Sequence, residues 1–140
     1  MPKKIYYAAS IRGGRKDAFI YKRMIEKMKQ HHNVLTEEVG DIFLPTKEQH
    51  LEQEEQIYQM DMERLKESDI IVAECTNASL GVGYELCLGE QLQKETHVFY
   101  DQTRSSLSVM IRGNKHCLIH PYKNEQDLMS QLDELLNSIA

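Results

Sequence analysis

The sequence predicts an α/β chain: a doubly wound, five-stranded parallel sheet with helices on both faces. Three observations predict it. Short apolar runs rich in β-formers alternate with helical patterns along the chain. The helices between runs are long enough for parallel crossovers, which cover both faces of a sheet. The run Asp69-Ile70-Ile71-Val72-Ala73-Glu74-Cys75 is nearly continuous in apolar residues, as a central buried strand requires.

Each element follows in order. Lys4 to Ala9 reads as the first strand, broken by Ser10-Ile11-Arg12-Gly13-Gly14. A helix runs from about Lys16 to Gln30, with Phe19, Ile20, Met24, Ile25 and Met28 recurring at helical spacing. Asn33 to Val39 reads as a short second strand, and Gly40 to His50, holding Pro45, as irregular. Leu51 to Lys66 is helical, Asp69 to Cys75 is the third strand, Thr76 to Gly81 a loop, and about Val82 to Lys94 a helix. Thr96 to Tyr100 and Cys117 to His120 are the last strands, and Glu125 to Ser138 is the closing helix. No repeat, low-complexity tract or linker interrupts the series, so residues 1–140 read as a single domain of the flavodoxin/Rossmann-like kind.

Composition narrows the function classes. With 41% hydrophobic and 28% charged residues the chain is an ordinary globular sequence. A net charge of −5 argues against a nucleic-acid polymer as partner, yet leaves room for a small phosphorylated ligand held in a local cradle. No apolar run approaches the roughly 20 residues of a membrane span, and the start lacks the apolar stretch of a signal peptide. Cys75, Cys87 and Cys117 are widely spaced, which suits a reducing compartment. The expectation is a cytoplasmic protein, with the nucleus open to it in a eukaryote.

In a doubly wound sheet, ligands gather at the carboxyl ends of the strands. The loops after strands one, three and four begin at Ser10, Thr76 and Asp101, so these should hold the site. In the first, two glycines let successive N–H groups converge at a helix start, and Ser10, Arg12 and Arg15 add a hydroxyl and charge. A terminal phosphate suits this loop, which is neither a Walker A loop nor a dinucleotide fingerprint; a plain strand-to-helix turn is the alternative. After strand three, Ser79-Leu80-Gly81-Val82-Gly83-Tyr84-Glu85-Leu86 places Glu85 in the expected first turn of a helix. There the helix dipole favours an ionised carboxylate, a charged nucleophile, although acids are common in first turns for that reason alone.

Asp61 stands out for the opposite reason. It is spaced i, i+4, i+8 with Ile57 and Leu65, on the apolar stripe of its helix. An inward carboxylate must be paired, protonated or functional, and burial raises its pKa toward that of a general acid. Pairing with an arginine is the structural alternative. Two carboxylates, one lowered and one raised in pKa, form the pair used for glycoside cleavage with retention.

Other chemistry-bearing residues fit structural roles. The six histidines, among them His31, His32, His116 and His120, form no ligand set with a carboxylate, so no metal is expected. Cys75 reads as a small core residue, Met24, Met28, Met60 and Met62 as packing, and the acidic run from Glu48 to Glu55 as a solvated helix start.

Taken together, Tyr6-Tyr7-Ala8-Ala9-Ser10-Ile11-Arg12-Gly13-Gly14-Arg15, Val34-Leu35-Thr36-Glu37, Asp61, Ser79 to Leu86, and Ser108-Val109-Met110-Ile111-Arg112-Gly113 closely resemble the 2′-deoxynucleoside 5′-phosphate N-hydrolases of the nucleoside 2-deoxyribosyltransferase superfamily. The resemblance covers nearly the whole chain in the right order. It implies Glu85 as the nucleophile forming a glycosyl-enzyme intermediate, Asp61 as the acid assisting base departure, and Tyr6 as a hydrogen-bonding partner of the reacting groups. It implies that Ala9, Ser10, Ile11, Arg12, Gly13, Gly14 and Arg15 hold phosphate and sugar, with Ser79 and Gly81 completing the anion site and Tyr21 near the substrate. Ser108, Val109 and Met110 match a segment that reaches the neighbouring subunit's phosphate site, so a symmetric homodimer is implied.

Two departures matter. Glu38 stands where the family has a histidine in Thr-Glu-His-Val, near the base pocket, and so bears on base preference. Cys87 stands where a glycine is usual, with an effect expected on helix packing alone. The expected activity is hydrolysis of deoxynucleoside monophosphates to base and 2-deoxyribose 5-phosphate, without cofactor. Its alternatives are a deoxyribosyltransferase, a ribonucleotide N-glycosidase, and a nucleotide sensor that binds without turnover.

Overall fold

The structure, a computed structural model, describes residues 1–10, 17–40 and 51–140, without the side chains of Leu51 and Glu52. The five strands are β1 (Lys4–Ala9), β2 (Asn33–Val34), β3 (Ile70–Glu74), β4 (Glu95–Asp101) and β5 (Cys117–Tyr122). They form one sheet in the order β2-β1-β3-β4-β5, with every pairing parallel. The helices are α1 (Ala18–Lys29), α2 (Leu51–Glu67), α3 (Leu80–Gln91), α4 (Val109–Arg112) and α5 (Glu125–Ile139). The expected doubly wound sheet is present.

Strand alternation builds two cores. From β1, Ile5, Tyr7 and Ala9 pack with Met24, Ile25 and Met28 of α1 and Leu128, Leu132 and Leu135 of α5. Tyr6 and Ala8 face the other way, toward Leu65 of α2 and Val82 and Leu86 of α3. The chain reverses its winding between β1 and β3, which are neighbours in the sheet, and a crevice opens at such a switch point. At its far end, away from that crevice, α3 lies close upon the sheet, where a Cβ at Gly89 would collide with Cδ1 of Ile71.

The second strand is shorter than its sequence suggests. Backbone pairing with β1 ends as the Leu35 N–H donates to the Ile5 carbonyl at 2.9 Å. Thr36 then substitutes its side chain for the next ladder position. Its hydroxyl accepts from the Tyr7 N–H at 2.9 Å and donates to the Tyr7 carbonyl at 2.6 Å. With both backbone groups of Tyr7 satisfied, the chain leaves the sheet and turns through a 3-10 helix at Glu37–Gly40. The remainder of the expected irregular segment, residues 41–50, lies outside the described residues. Thr36→Val should cost about 1–3 kcal/mol for each buried backbone group left unpaired, seen as a lower urea midpoint at unchanged slope.

Three further differences have simple causes. The buried stripe of α1 is Ala18, Tyr21, Met24, Ile25 and Met28, which turns Phe19 out to solvent. α2 spans 17 residues, about 25 Å, longer than the strands it crosses, so only its second half meets the sheet. Leu65 is buried, whereas Ile57, Tyr58 and Met60 are exposed. α4, four residues long with no apolar period of its own, was not expected; the Ser108 hydroxyl caps it by accepting from the Met110 N–H at 3.2 Å.

Candidate active site

Glu85 is carried by α3, whose first turn begins earlier than the glycines suggest. Ser79 is the N-cap, its hydroxyl accepting from the Val82 N–H at 3.2 Å, and Gly81 and Gly83 lie inside the helix. Glu85 is therefore in the second turn, where the dipole's effect has faded. Burial dominates instead, pushing its carboxyl up to about 7, with the Tyr6 hydrogen bond lowering it and the Asp61 charge raising it further. The expectation of a carboxylate held low by the helix start is overturned. Space beside the two glycines is open: a Cβ at Gly83 meets no atom within 4 Å, and one at Gly81 only Ser79 Oγ at 3.8 Å. A ligand can approach the backbone there.

Tyr6 fixes the carboxylate. It leaves β1 on the α2/α3 side, is buried, and donates its hydroxyl hydrogen to Glu85 Oε2. Burial and the Glu85 charge push its own phenol far up, so it remains a donor across the physiological range. Tyr6→Phe removes the bond that favours ionised Glu85. The acid limb of a pH–rate profile should move to higher pH, with turnover at pH 7 falling about 10- to 100-fold.

Asp61 is half-buried, with 30% of its side chain exposed. Burial raises its carboxyl, Arg64 lowers it, and Glu38 raises it. Its charge reaches both Tyr6 and Glu85, so the two carboxylates and the phenol form one electrostatic unit. The pair is not split as expected; both members are raised. Asp61 also has the arginine partner that a structural reading requires, since Arg64 Nη1 lies 3.4 Å from its Oδ1. The same nitrogen donates to Oε1 of Glu38, which the 3-10 turn brings to this wall.

The remaining expected residues are placed as follows. Ala9 and Ser10 close β1 and are buried. Ile11, Arg12, Gly13, Gly14 and Arg15 lie outside the described residues. Tyr21 is wholly buried, 6.4 Å ring to ring from Tyr7, and its hydroxyl accepts from Asn77 Nδ2 at 3.2 Å, in the loop after β3. Ser79 lies at the foot of α3, its hydroxyl hydrogen still available after capping. Ser108, Val109 and Met110 project outward, the latter two 68% and 80% exposed, above a buried Leu107. Cys87 is exposed, so the departure there meets solvent and not helix packing.

The sequence reading missed two polar clusters at the same end of the sheet. Asp17, at the foot of α1, accepts from both guanidinium nitrogens of Arg104 at 3.1 and 3.0 Å and from Asn77 at 2.7 Å. This ties the exits of strands one, three and four together. Beside it, the buried Glu74 accepts from the Thr76 N–H at 2.8 Å, the Thr76 hydroxyl at 2.6 Å, and the Tyr122 hydroxyl. Glu74, an acid closing the run Ile-Ile-Val-Ala, carried a signal for this; loop residues Asn77 and Arg104, lacking any period, did not. Among the described residues, no group of three His, Cys, Asp or Glu is placed to hold a metal, and no helix is long and apolar enough to cross a membrane.

The fold agrees with comparisons to known proteins. The 5-hydroxymethyl-dUMP N-hydrolase of Tetraodon nigroviridis is 43% identical over 112 residues, covering 79% of each chain. That of Danio rerio is 43% identical over 110 residues, covering 78% of this chain and 77% of its own. The solved 2-deoxyribosyltransferase of Bacillus psychrosaccharolyticus superposes with a TM-score of 0.62 at 20% identity, covering 89% of each chain, and so shares the fold. A family model described as nucleoside 2-deoxyribosyltransferase matches residues 5–133. The chain belongs to the nucleoside 2-deoxyribosyltransferase family.

Proposed function

We propose that the protein hydrolyses the N-glycosidic bond of 2′-deoxynucleoside 5′-monophosphates to free base and 2-deoxyribose 5-phosphate, through a covalent intermediate on Glu85. The observation that carries this is a half-buried carboxylate, held by Tyr6 and within reach of the Asp61 charge, at the switch point of the sheet. The relatives named above for 5-hydroxymethyl-dUMP support the substrate class.

In the first step a Glu85 oxygen bonds to C1′ as the C1′–base bond breaks, and Asp61 passes its proton to the departing base. In the second, water attacks C1′, Asp61 takes its proton, and Glu85 is released. The 5′-phosphate is assigned to the Ala9–Arg15 loop with Ser79 and Gly81. Ser108, with Val109 and Met110, reaches the neighbouring subunit's phosphate site in a homodimer, a role that fits its outward projection. No organic cofactor enters this scheme, and a reducing, cytoplasmic setting suits its free thiols.

The test is to incubate the protein with each deoxy- and ribonucleoside monophosphate, with and without an added free base, and follow base release and exchange. Release from 5′-phosphorylated deoxynucleosides, 5-hydroxymethyl-dUMP first among them, is the expected result. Exchange exceeding hydrolysis would make it a transferase, and binding without release a sensor. Sedimentation of the wild-type chain against Met110→Glu checks the dimer, which the substitution should dissociate.

A further inference from the structure

Arg64 joins the helix that carries Asp61 to the 3-10 turn that carries Glu38. It lies three residues beyond Asp61 on α2, beside the buried Leu65, with only 24% of its side chain exposed. One of its nitrogens, Nη1, serves two carboxylates at once. It makes a close ion pair with Glu38 Oε1 and stands 3.4 Å from Asp61 Oδ1, at the outer limit of a hydrogen bond.

Both arms of this contact are anchored. Leu65 and Met62 hold α2 on the sheet. The 3-10 turn is held by Thr36 and by Gly40, where a Cβ would come within 3.0 Å of the Lys22 Cα and 2.8 Å of Ile25 Cδ1. The backbones that carry the two carboxylates are therefore fixed on either side of the one guanidinium nitrogen. Among the described residues, the charged and titratable groups facing Asp61 are Arg64 from its own helix, Glu38 from the turn, Tyr6 from β1 and Glu85 from α3.

We propose that Arg64 is a positioning residue for Asp61, and that Glu38 regulates it by competing for the same guanidinium nitrogen. This rests on the reading of Asp61 as the acid that serves the leaving base. The two partners then act with opposite sign. Without the Glu38 charge, Nη1 is free to close on Asp61, whose ionised form gains a full partner and loses a neighbouring anion. Without the Arg64 charge, ionised Asp61 faces Glu38 unshielded. An acid that must stay protonated while Glu85 is ionised is thus protected by Glu38, and kept from becoming too weak an acid by Arg64.

The test compares Glu38→Gln, Arg64→Met and Arg64→Lys in two readouts. One is the alkaline limb of kcat/KM for base release from 5-hydroxymethyl-dUMP; the other is the carboxyl carbon-13 titration of Asp61, which needs no turnover. A unit charge at this range moves a half-buried carboxyl by about one pH unit. Glu38→Gln should displace both readouts downward by about that much and Arg64→Met upward, with Arg64→Lys recovering most of the second displacement. Displacement of Glu38→Gln and Arg64→Met in the same direction, or of neither, overturns the proposal. Glu38 is 42% exposed, so its variant folds and decides the matter alone should Arg64→Met not fold. If the wild type releases no base, the hydrolase reading falls, while the Asp61 titration still tests the pair.

Discussion

Replacing Glu85 with alanine is expected to lower base release by about 10⁴-fold or more, the scale seen when a nucleophile is removed from a unit that works together. The reason is its place in the fold. α3 presents the carboxylate one turn beyond Gly81, whose backbone is open to a ligand, and Tyr6 holds one of its oxygens. Substrate binding should survive, because the phosphate is assigned to other residues. The pH dependence follows from the same burial. Attack needs the ionised carboxylate, and its pKa stands raised at about 7. Turnover should therefore rise with pH through about 7 and fall tenfold per unit below it, a limb measurable with any substrate of the class.

Asp61→Asn should cost about 10²- to 10⁴-fold in turnover, the range for loss of a positioned acid. Two signatures separate this from mere damage. The loss should be steepest for bases that leave poorly, since they depend most on the proton. The acid limb should also move below 7, because the Asp61 charge is one of the causes raising Glu85. A variant whose loss is equal for all bases and whose limb stays in place would show Asp61 to be only the ion-pair partner of Arg64.

The architecture was legible because the signals that specify it are periodic. The apolar run of β3 and the stripe of α5 are set by burial on one or both faces, and burial is written in residue order. β2 failed for a reason that period cannot show: a single hydroxyl, Thr36, replaces a ladder position and frees the chain to turn. That turn brings Glu38 to the site, so a local error in strand length concealed the Glu38–Arg64 contact.

The site was legible in part. Asp61 could be found because an acid on an apolar stripe is anomalous, and burial raises it as expected. Glu85 was found by its position after a central strand, but the balance of forces on it was misjudged. Placing the helix start two residues late put it in the dipole's reach, whereas the folded helix leaves it to desolvation. Arg64 stands in local register with Asp61, but its contact with Glu38, like those of Arg104 and Asn77 with Asp17, spans 26 to 87 positions, and no local pattern carries that information.

The central claim is that a sugar rests on Glu85 between the two steps. The most direct measurement is mass spectrometry of the Asp61→Asn enzyme, quenched during turnover of a substrate with a good leaving base. Slowing the second step should trap a mass equal to one 2-deoxyribose 5-phosphate less water, mapped to the peptide holding Glu85 and missing in Glu85→Ala. Steady base release with no adduct on that peptide, or release undiminished in Glu85→Ala, would contradict the account.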